Sequence, residues 1–373
     1  MFWLLFTAIF LLLYALLISF YWNSWKKLDE HLVSPDSDKR FLSVIVPARN
    51  EEKNIGFLLN ALSQQTYPVV FFEIIVVDDF SDDNTAELVS SFSITNLSLI
   101  QPRVSSELSS KKRSIEAGIT KAKGELIITT DADCIPTKNW LQTINHFYTK
   151  HDAAFIAAPV KFFHNNSLLQ LFQSLDFLTL QGITAASVSA NFHTMCNGAN
   201  LAYKKKTFEE VNGFQGIDKV ATGDDMLLMH KIWKHYPGKA LYLKSKEAIV
   251  TSQPMYNWKD LFMQRKRWAS KTLVYDDYRI MVVLAFVYLL NCLFVALIVA
   301  SIFQSFYWWY VIGFIVVKTI IEFPFVNSVA KFYNEQRAVK FLFLFQPIHI
   351  LYTVLVGLLS QFGKYEWKGR KTK

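Results

Sequence analysis

Acidic and amide side chains cluster at three points in the sequence, and each cluster directly follows an apolar run. The clusters are residues 47–52, 78–85 and 131–133. Carboxylates after a strand often only cap the next helix, and residues 82–84 are expected to do this. For any one cluster, helix capping is as good an explanation as a catalytic or binding role. Three clusters at three strand ends are harder to explain by capping, so the sequence predicts a polar site there.

Asp131 and Asp133 flank Ala132 in the third cluster. Carboxylates two residues apart at a strand end can present oxygens to one hard divalent cation, and that cation can bridge a diphosphate. A single D-x-D pattern is weak evidence because it occurs often by chance. Lys111 begins the preceding predicted helix. Its ammonium could meet a phosphate or could simply be solvated.

Short β-branched runs alternate with helical stretches from residue 41 onward. This alternation, with continuously apolar strands, predicts a parallel sheet covered by helices on both faces. Ligands of such sheets bind at the carboxyl ends of the strands, where the three clusters fall. No G-x-G-x-x-G or P-loop pattern follows the first strand, which argues against a dinucleotide-binding or kinase-type site. The predicted strands are 42–46, 72–77, 98–100 and 125–130, and the predicted helices are 52–65, 85–92 and 109–122.

Residues 1–22 carry no charge and are long enough as a helix to cross a hydrocarbon core of ~30 Å. A cleaved signal peptide would need a positive leading region and a small-residue cleavage site, and neither is present. We therefore expect an uncleaved N-terminal transmembrane anchor. Lys26 and Lys27 follow it, which places the next domain in the cytoplasm.

Three further apolar segments, 280–303, 306–326 and 341–361, are candidate membrane helices. Lys318 and Glu322 interrupt the second segment four residues apart, so they could pair on one helix face. The third segment contains Gln346, Pro347 and His349 and precedes a basic tail. It is therefore either a spanning helix or a re-entrant one.

The net charge of +8 reflects basic residues beside the apolar segments, which favours a membrane-facing surface. We find no helix-turn-helix, finger or RNA-binding signature, so nucleic acid is not an expected partner. The three cysteines form no metal or disulfide framework and suit a reducing compartment.

The motifs from residue 41 to residue 270 together resemble the inverting nucleotide-sugar glycosyltransferases of family 2. Four motifs of the family have counterparts here. They are the P-x-x-N-E-E-like start (residues 44–52), the V-V-D-D-x-S-x-D strand end (76–82), the G-K-x-x-A-L-N-x-G-I-like helix (111–119, here K-K-R-S-I-E-A-G-I) and the D-x-D (131–133). The resemblance implies a glycosyltransferase A-type α/β fold with a mixed, mainly parallel sheet, together with the N-terminal and C-terminal transmembrane helices. It also implies Mg²⁺ or Mn²⁺ held by Asp131 and Asp133. The implied nucleotide-sugar-binding residues, with Asp79 at the nucleotide base, are Pro47, Arg49, Glu51, Asp78, Asp79, Lys111, Asp131, Ala132 and Asp133.

Three downstream motifs extend the resemblance toward the acceptor side. Asn197 and Gly198 begin an N-G-A-N loop, and residues 222–225 (T-G-D-D) resemble the motif that supplies the family's catalytic base. An inverting transfer needs a base opposite the leaving group, and Asp225 matches its position. Asp224 is expected to cap the helix that follows.

The third downstream motif is Q-x-x-R-W, formed by Gln264, Arg267 and Trp268. It is typical of membrane-integrated family members, both lipid glycosyltransferases and polysaccharide synthases. Arg267 could hold a diphosphate, Gln264 could hydrogen-bond nearby, and Trp268 could stack on a sugar. The same segment, 251–279, also reads as an interfacial amphipathic helix, and both readings can hold together. The amphipathic pattern over 164–189 fits either domain core or a membrane contact.

From these patterns we expect an integral membrane enzyme of a bacterial cytoplasmic membrane, with a cytoplasmic catalytic domain over 41–250. Its donor would be a nucleotide sugar, expected to be a UDP-sugar, and its acceptor a lipid-like molecule at the bilayer. A processive polysaccharide synthase with a growing glycan as acceptor is the alternative. An inactive scaffold or a transporter is a weaker reading, since no motif acid is lost. The oligomeric state is left open.

Overall fold

The computed structural model describes residues 2–34, 38–102, 110–217, 223–270, 275, 277–360, 365–367 and 370–372. The chain divides into two compact units. The sheet unit consists of Asp29–Phe163, Thr194–Gln253 and Glu366–Lys373, and the helical unit consists of Met1–Leu28, His164–His193 and Pro254–Tyr365.

The strands are β1 (Leu42–Ala48), β2 (Phe72–Asp78), β3 (Leu97–Ile100), β4 (Leu126–Thr129), β5 (Ile135–Pro136), β6 (Phe155–Ala157), β7 (Val160–Phe162), β8 (Leu201–Lys204), β9 (Ala240–Tyr242), β10 (Val250–Ser252), β11 (Tyr365–Trp367) and β12 (Arg370–Thr372). The helices are α1 (Phe2–Lys27), α2 (Ile55–Ser63), α3 (Thr85–Ser91), α4 (Ser110–Lys121), α5 (Trp140–His151), α6 (Leu168–Ser189), α7 (Lys205–Glu210), α8 (Met226–His235), α9 (Trp258–Ala269), α10 (Tyr278–Phe303), α11 (Trp308–Tyr333), α12 (Gln336–Val339) and α13 (Leu342–Ser360).

A seven-stranded sheet in the order β3-β2-β1-β4-β8-β6-β9 forms the centre of the sheet unit. The strands β3, β2, β1 and β4 run parallel, β8 is antiparallel to both of its neighbours, and β9 is parallel to β6. The predicted mixed, mainly parallel sheet is therefore confirmed. A second sheet has the order β5-β10-β7.

The four predicted strands are confirmed; the apolar runs of β1, β2 and β4 are buried along their length, whereas β3, at the edge of the sheet, is only partly buried. Val44, Val46, Ile74 and Val76 are each fully buried, as parallel strands covered by helices should be. The predicted helix 52–65 starts later, at Ile55, because the carbonyl of Glu51 first accepts the N–H groups of Asn54 and Ile55 in a turn. Residue 109, the predicted start of α4, lies outside the described residues.

In the helical unit, α1 and α11 run side by side in the same direction. The hydroxyl of Tyr14 donates to Glu322, the ring of Tyr21 stacks on Phe325 with centroids 6.4 Å apart, and Trp25 Nε1 donates to Ser328 Oγ at 3.1 Å. The contact positions increase together along both helices, so α1 and α11 end on the same side of the unit.

Four helices in the described chain are long and apolar enough to cross a membrane. They are Leu5–Lys27, Tyr278–Phe303, Ser305–Tyr333 and Leu342–Ser360. The predicted pairing of Lys318 with Glu322 is confirmed, and both side chains also contact the amide of Gln346. Gln346 thus has polar partners among the long helices themselves.

The amphipathic segment 164–189 folds as α6 within the helical unit. Gly182 lies so close to α11 that an added Cβ would stand 2.4 Å from Val329 Cγ2 and 3.0 Å from Phe325 Cζ. Most side chains of α6 are buried, so the segment forms part of the core of the helical unit.

Candidate functional site

Lys111, in the first turn of α4, lies between two carboxylates that come from distant parts of the sequence. Its Nζ is 2.7 Å from Asp131 Oδ1 and 3.4 Å from Asp224 Oδ2. The side chains are 23% exposed for Lys111, 35% for Asp131 and 10% for Asp224. Burial opposes the charged ammonium, but the carboxylates of Asp131 and Asp224 outweigh that effect and raise the pKa of Lys111 above its usual value. Lys111 is therefore a stable cation in this cluster.

Asp131 and Asp133 follow β4 at its carboxyl end, with Ala132 buried between them. Both aspartates are partly exposed, so their oxygens face accessible space. No group of three histidine, cysteine or acidic side chains that could hold a metal ion occurs in the described part of the chain. Two carboxylates fit Mg²⁺ or Mn²⁺ nonetheless, because such ions are often held by one or two carboxylates together with substrate phosphates.

Asp225 joins the start of α8 to the N-G-A-N loop. Its Oδ1 accepts the N–H of Met226 at 2.8 Å, and its Oδ2 accepts the N–H of Gly198 at 3.1 Å. The prediction that Asp224 caps this helix is wrong: Asp225 is the capping residue, and Asp224 pairs with Lys111. The reason is the turn before it, where Gly223 has φ +83°, so that the first carboxylate of the pair meets Lys111 and the second meets the helix end.

Gly198 lies against this cluster, where an added side chain would crowd the Lys111 ammonium. A Cβ at this position would lie 3.2 Å from Lys111 Nζ, 3.5 Å from Asp224 Oδ2 and 3.5 Å from Asp225 Cβ. In the same loop, Asn197 Oδ1 accepts the N–H of Ala199 at 2.9 Å. The predicted acceptor-side loop and the predicted base are thus in direct contact.

The last residue of this loop, Asn200, is a structural residue. Its side chain is fully buried, accepts from Trp140 Nε1 at 3.0 Å and donates to the carbonyls of Pro159 and Ala248, both at 2.8 Å. These bonds fix the loop to the body of the sheet unit.

Asp79 is buried after β2 and forms an ion pair with Arg113, whose Nη2 lies 2.6 Å from Asp79 Oδ1. Asp78, also buried, accepts from the N–H of Ser81 at 3.3 Å and from Gln101 Nε2 at 3.2 Å. The second acidic cluster is therefore tied to α4 through Arg113.

The residues predicted around the end of β1 mostly hold the neighbouring loop. Arg49 Nη1 donates to the carbonyls of Asp79 and Phe80 at 2.6 and 2.8 Å, and its Nη2 lies 3.2 Å from Asp82. Glu51 Oε2 accepts from Asn54 Nδ2 at 2.8 Å, and Pro47 lies within β1.

The predicted capping by residues 82–84 is confirmed for only one of them. Asp83 accepts from the N–H of Thr85 at 3.1 Å, whereas Asp82 faces Arg49. Asn84 precedes α3 but makes no side-chain cap bond, and its amide donates to Glu52 at 3.2 Å.

Lys112 was not predicted as a site residue, yet it is fully buried and its ammonium donates to the carbonyl of Ile217. Lys231 Nζ donates to the carbonyls of Gly213 and Gln215 at 2.7 and 2.8 Å. Two lysines therefore hold the backbone of residues 213–217. Residues 218–222, which include the predicted Thr222, lie outside the described residues.

The Q-x-x-R-W residues Gln264, Arg267 and Trp268 lie on α9 in the helical unit. The buried polar residue of this helix is Arg265, which the motif does not specify. Its Nη2 is 2.7 Å from Asp176 Oδ2, and its guanidinium carbon lies 4.0 Å from the centre of the Trp268 ring. One contact surface of the Trp268 indole is thus taken by Arg265.

The sequence prediction missed Lys112 and Arg113. The signal for both was present as three consecutive basic residues, 111–113, at the start of α4. In the structure each of the three contacts a different segment: Asp131 and Asp224, Ile217, and Asp79.

This arrangement of a sheet edge, two acidic clusters and a basic helix start agrees with the comparison to known families. The sequence profile described as Glycosyl transferase family 2 matches residues 43–211. Residues 43–211 are a family 2 glycosyltransferase domain. The match includes β1 to β4, α4 and the N-G-A-N loop, and it ends before Asp224 and Asp225.

Curated glycosyltransferases are similar to this domain over parts of their length. Glycosyltransferase AglE of Haloferax volcanii is 36% identical over 104 residues, which is 27% of this chain and 33% of AglE. The 4,4'-diaponeurosporenoate glycosyltransferase of Staphylococcus aureus is 37% identical over 92 residues, 25% of this chain and 24% of that protein. The chain thus matches a third or less of the length of these relatives.

Among solved structures, the mannosyltransferase PcManGT from Pyrobaculum calidifontis, solved in complex with GDP-Man and Mn²⁺, superposes with a TM-score of 0.57 at 19% identity. The superposition covers 95% of this chain and 98% of that chain. The glycosyltransferase domain therefore has the predicted glycosyltransferase A-type fold.

Proposed function

We propose that this protein is an inverting glycosyltransferase that moves a sugar from a nucleotide sugar to a lipid-like acceptor at the cytoplasmic face of a bacterial membrane. The donor would be a UDP-sugar, with Mg²⁺ or Mn²⁺ at Asp131 and Asp133. Asp79 would lie at the nucleotide base, and Asp225 would be the general base.

The single observation that carries the proposal is the position of Lys111. Its ammonium contacts Asp131 of the D-x-D and Asp224 of the acid pair, while Gly198 of the N-G-A-N loop leaves the space beside it. Three motifs from separate parts of the sequence, at residues 131–133, 197–200 and 224–225, thus meet within one set of contacts. Capping of separate helices would not require them to meet.

The chemical step follows from the two sides of this cluster. Asp225 takes the proton of the acceptor hydroxyl while the acceptor oxygen forms a bond to the anomeric carbon. The bond from that carbon to the donor phosphate breaks on the opposite face, and the nucleoside diphosphate leaves with the electron pair. Lys111 offers positive charge to the leaving diphosphate. A divalent cation, when bound, supplies further charge neutralisation to the diphosphate oxygens.

We infer a lipid-like acceptor from the small number of candidate membrane helices. Four such helices occur in the described chain, and a secretion channel for a polymer usually needs more. The relatives' names point both ways, since one is named for 4,4'-diaponeurosporenoate and another for poly(ribitol-phosphate). A processive polysaccharide synthase is the second candidate, because the Q-x-x-R-W motif occurs in both kinds of enzyme.

Membranes that contain the protein, incubated with radiolabelled nucleotide sugars, test this proposal. The panel includes UDP-glucose, UDP-N-acetylglucosamine and GDP-mannose, because the structural neighbour was solved with GDP-Man. We expect label from one donor to enter the organic phase and to resist glycanase digestion. Label in a long aqueous polymer would favour the processive enzyme. No transfer from any donor, with wild type equal to Asp225→Asn, would favour an inactive scaffold.

A further inference from the structure

Lys111 places one positive charge beside Oδ1 of Asp131, a carboxylate that would hold the cation in the proposed function. Its Nζ lies 2.7 Å from Asp131 Oδ1, a hydrogen-bonding distance for a charged pair. A divalent cation would need carboxylate oxygens of the same cluster at 2.0–2.6 Å. An ammonium and a divalent cation cannot both be close partners of that oxygen without repelling each other.

We propose that Lys111 is a resident counter-cation, which competes with the divalent cation for Asp131 and transfers to the donor diphosphate when the cation binds. This inference rests on the proposed function, because it takes Asp131 and Asp133 as the donor-side cation ligands. It goes beyond that function by making cation binding, donor binding and the position of Asp224 depend on one side chain.

The charge balance of the cluster supports such an exchange. Asp131, Asp133, Asp224 and Asp225 bring four carboxylates close to one strand end and one helix start. With neither cation nor donor bound, like charges at this spacing repel, and Lys111 offsets part of that repulsion. When a divalent cation takes over this role at Asp131, the ammonium needs another anion, and a diphosphate supplies one.

The geometry leaves Lys111 able to move. The ammonium contacts Asp224 at the longer distance of 3.4 Å, and its side chain is partly exposed. The ammonium itself lies next to Gly198, where a Cβ would come within 3.2 Å of Nζ. Lys111 can therefore keep its contact with Asp224 or turn away from it without displacing backbone.

The test is Mn²⁺ binding to the detergent-solubilised full chain without donor, followed by electron paramagnetic resonance or calorimetry. Removal of a competing cation should strengthen Mn²⁺ binding by roughly 5- to 150-fold in Lys111→Met, the usual range for coupled sites. Lys121→Met is the matched control, because Lys121 lies exposed in the last turn of the same helix and the substitution removes the same charge. Its Mn²⁺ affinity should equal that of the wild type. Lys111→Gln, which keeps a polar group, serves if Lys111→Met does not fold.

A second measurement adds UDP. In the wild type, UDP should strengthen Mn²⁺ binding because it gives Lys111 a new partner, and this gain should shrink in Lys111→Met. Unchanged or weaker Mn²⁺ binding by Lys111→Met would overturn the inference while leaving the proposed cation site in place. Absence of Mn²⁺ binding in every variant, with and without UDP, would overturn the cation site itself.

Discussion

Asp225 accepts the backbone N–H of Gly198 at 3.1 Å, so the proposed base and the proposed acceptor-side loop form one hydrogen-bonded structure. The other oxygen of Asp225 caps α8 through Met226. This residue therefore has a structural and a chemical role, and an experiment on it has to separate the two.

Asp225→Asn should separate them, because asparagine is also a good N-cap residue and keeps the side-chain shape. We expect kcat to fall by ~10²–10⁴-fold, the usual cost of losing a general base, with little change in the affinity for nucleotide. Asp225→Ala should in addition lose the cap, which typically costs about 1 kcal/mol in the free energy of unfolding. Donor titration and thermal unfolding of both variants check this. Parallel loss of donor affinity in Asp225→Asn would assign the residue to the donor site.

Metal dependence should act through the two carboxylates that follow β4. Asp133→Asn should remove most transfer, because an amide is a weaker ligand for a hard cation than a carboxylate. Chelator should abolish wild-type transfer, and added Mg²⁺ or Mn²⁺ should restore it. Asp152→Asn is a suitable control, since this exposed aspartate pairs with Lys204 at the far end of β8. Full activity of Asp133→Asn in chelator would show that the proposed role of the metal is wrong.

The ion pair of Arg113 with Asp79 should matter for folding and for nucleotide binding. Arg113→Met leaves a buried carboxylate without its cation, which typically costs about 3 kcal/mol in the free energy of unfolding. Arg40→Met is the comparison, because the Arg40–Glu125 pair is half exposed and such pairs are worth about 0.5 kcal/mol. The measurement is denaturant unfolding with and without UDP.

Adding Asp79→Asn to Arg113→Met should recover part of that stability, because the unpaired charge is then removed. It should not recover nucleotide affinity if Asp79 lies at the base. Restored affinity in the double variant would remove Asp79 from the nucleotide site.

If α13 crosses the membrane, the C-terminal tail lies on the side opposite to Lys26 and Lys27; if the tail stays with the sheet unit, to which Glu366–Lys373 belong, α13 does not cross. The helices α1 and α11 end on the same side of the helical unit, and α13 then doubles back so that Gln346 meets Lys318 and Glu322. The 19 residues of α13 reach about 28 Å, close to the thickness of a hydrocarbon core. A cysteine introduced by Lys371→Cys should react with an impermeant reagent on intact cells if α13 crosses the membrane, and only after permeabilisation if it does not. A cysteine from Arg337→Cys, in α12 between α11 and α13, should react only after permeabilisation; protection of both cysteines on intact cells would favour a re-entrant α13.

The sequence predicted the parallel half of the sheet because its strands are apolar on both faces, and that pattern survives without any tertiary context. It did not predict β5, β7 and β10, since two or three residues are too few to show a period. The sequence also could not predict whether Asp224 or Asp225 caps α8, because two adjacent carboxylates are equivalent in a sequence pattern. Their contacts with Lys111 and Gly198 distinguish them in the structure. The partners of Lys112 and Arg113 lie about a hundred and about thirty residues away, respectively, so a basic triplet alone could not reveal them.

The course of the chain through the sheet unit decides how this protein can be shortened. Strand β8 lies between β4 and β6, but it follows α6 in sequence, after the chain has left the sheet unit at Phe163 and returned at Thr194. A polypeptide that stops before residue 194 therefore lacks the strand that joins the two halves of the sheet. During synthesis the same strand becomes available only after α1 and α6 have been made. A water-soluble version would have to replace residues 164–193 by a linker. Removal of the N-terminal and C-terminal helices alone would leave α6, which lies in sequence between two segments of the sheet unit.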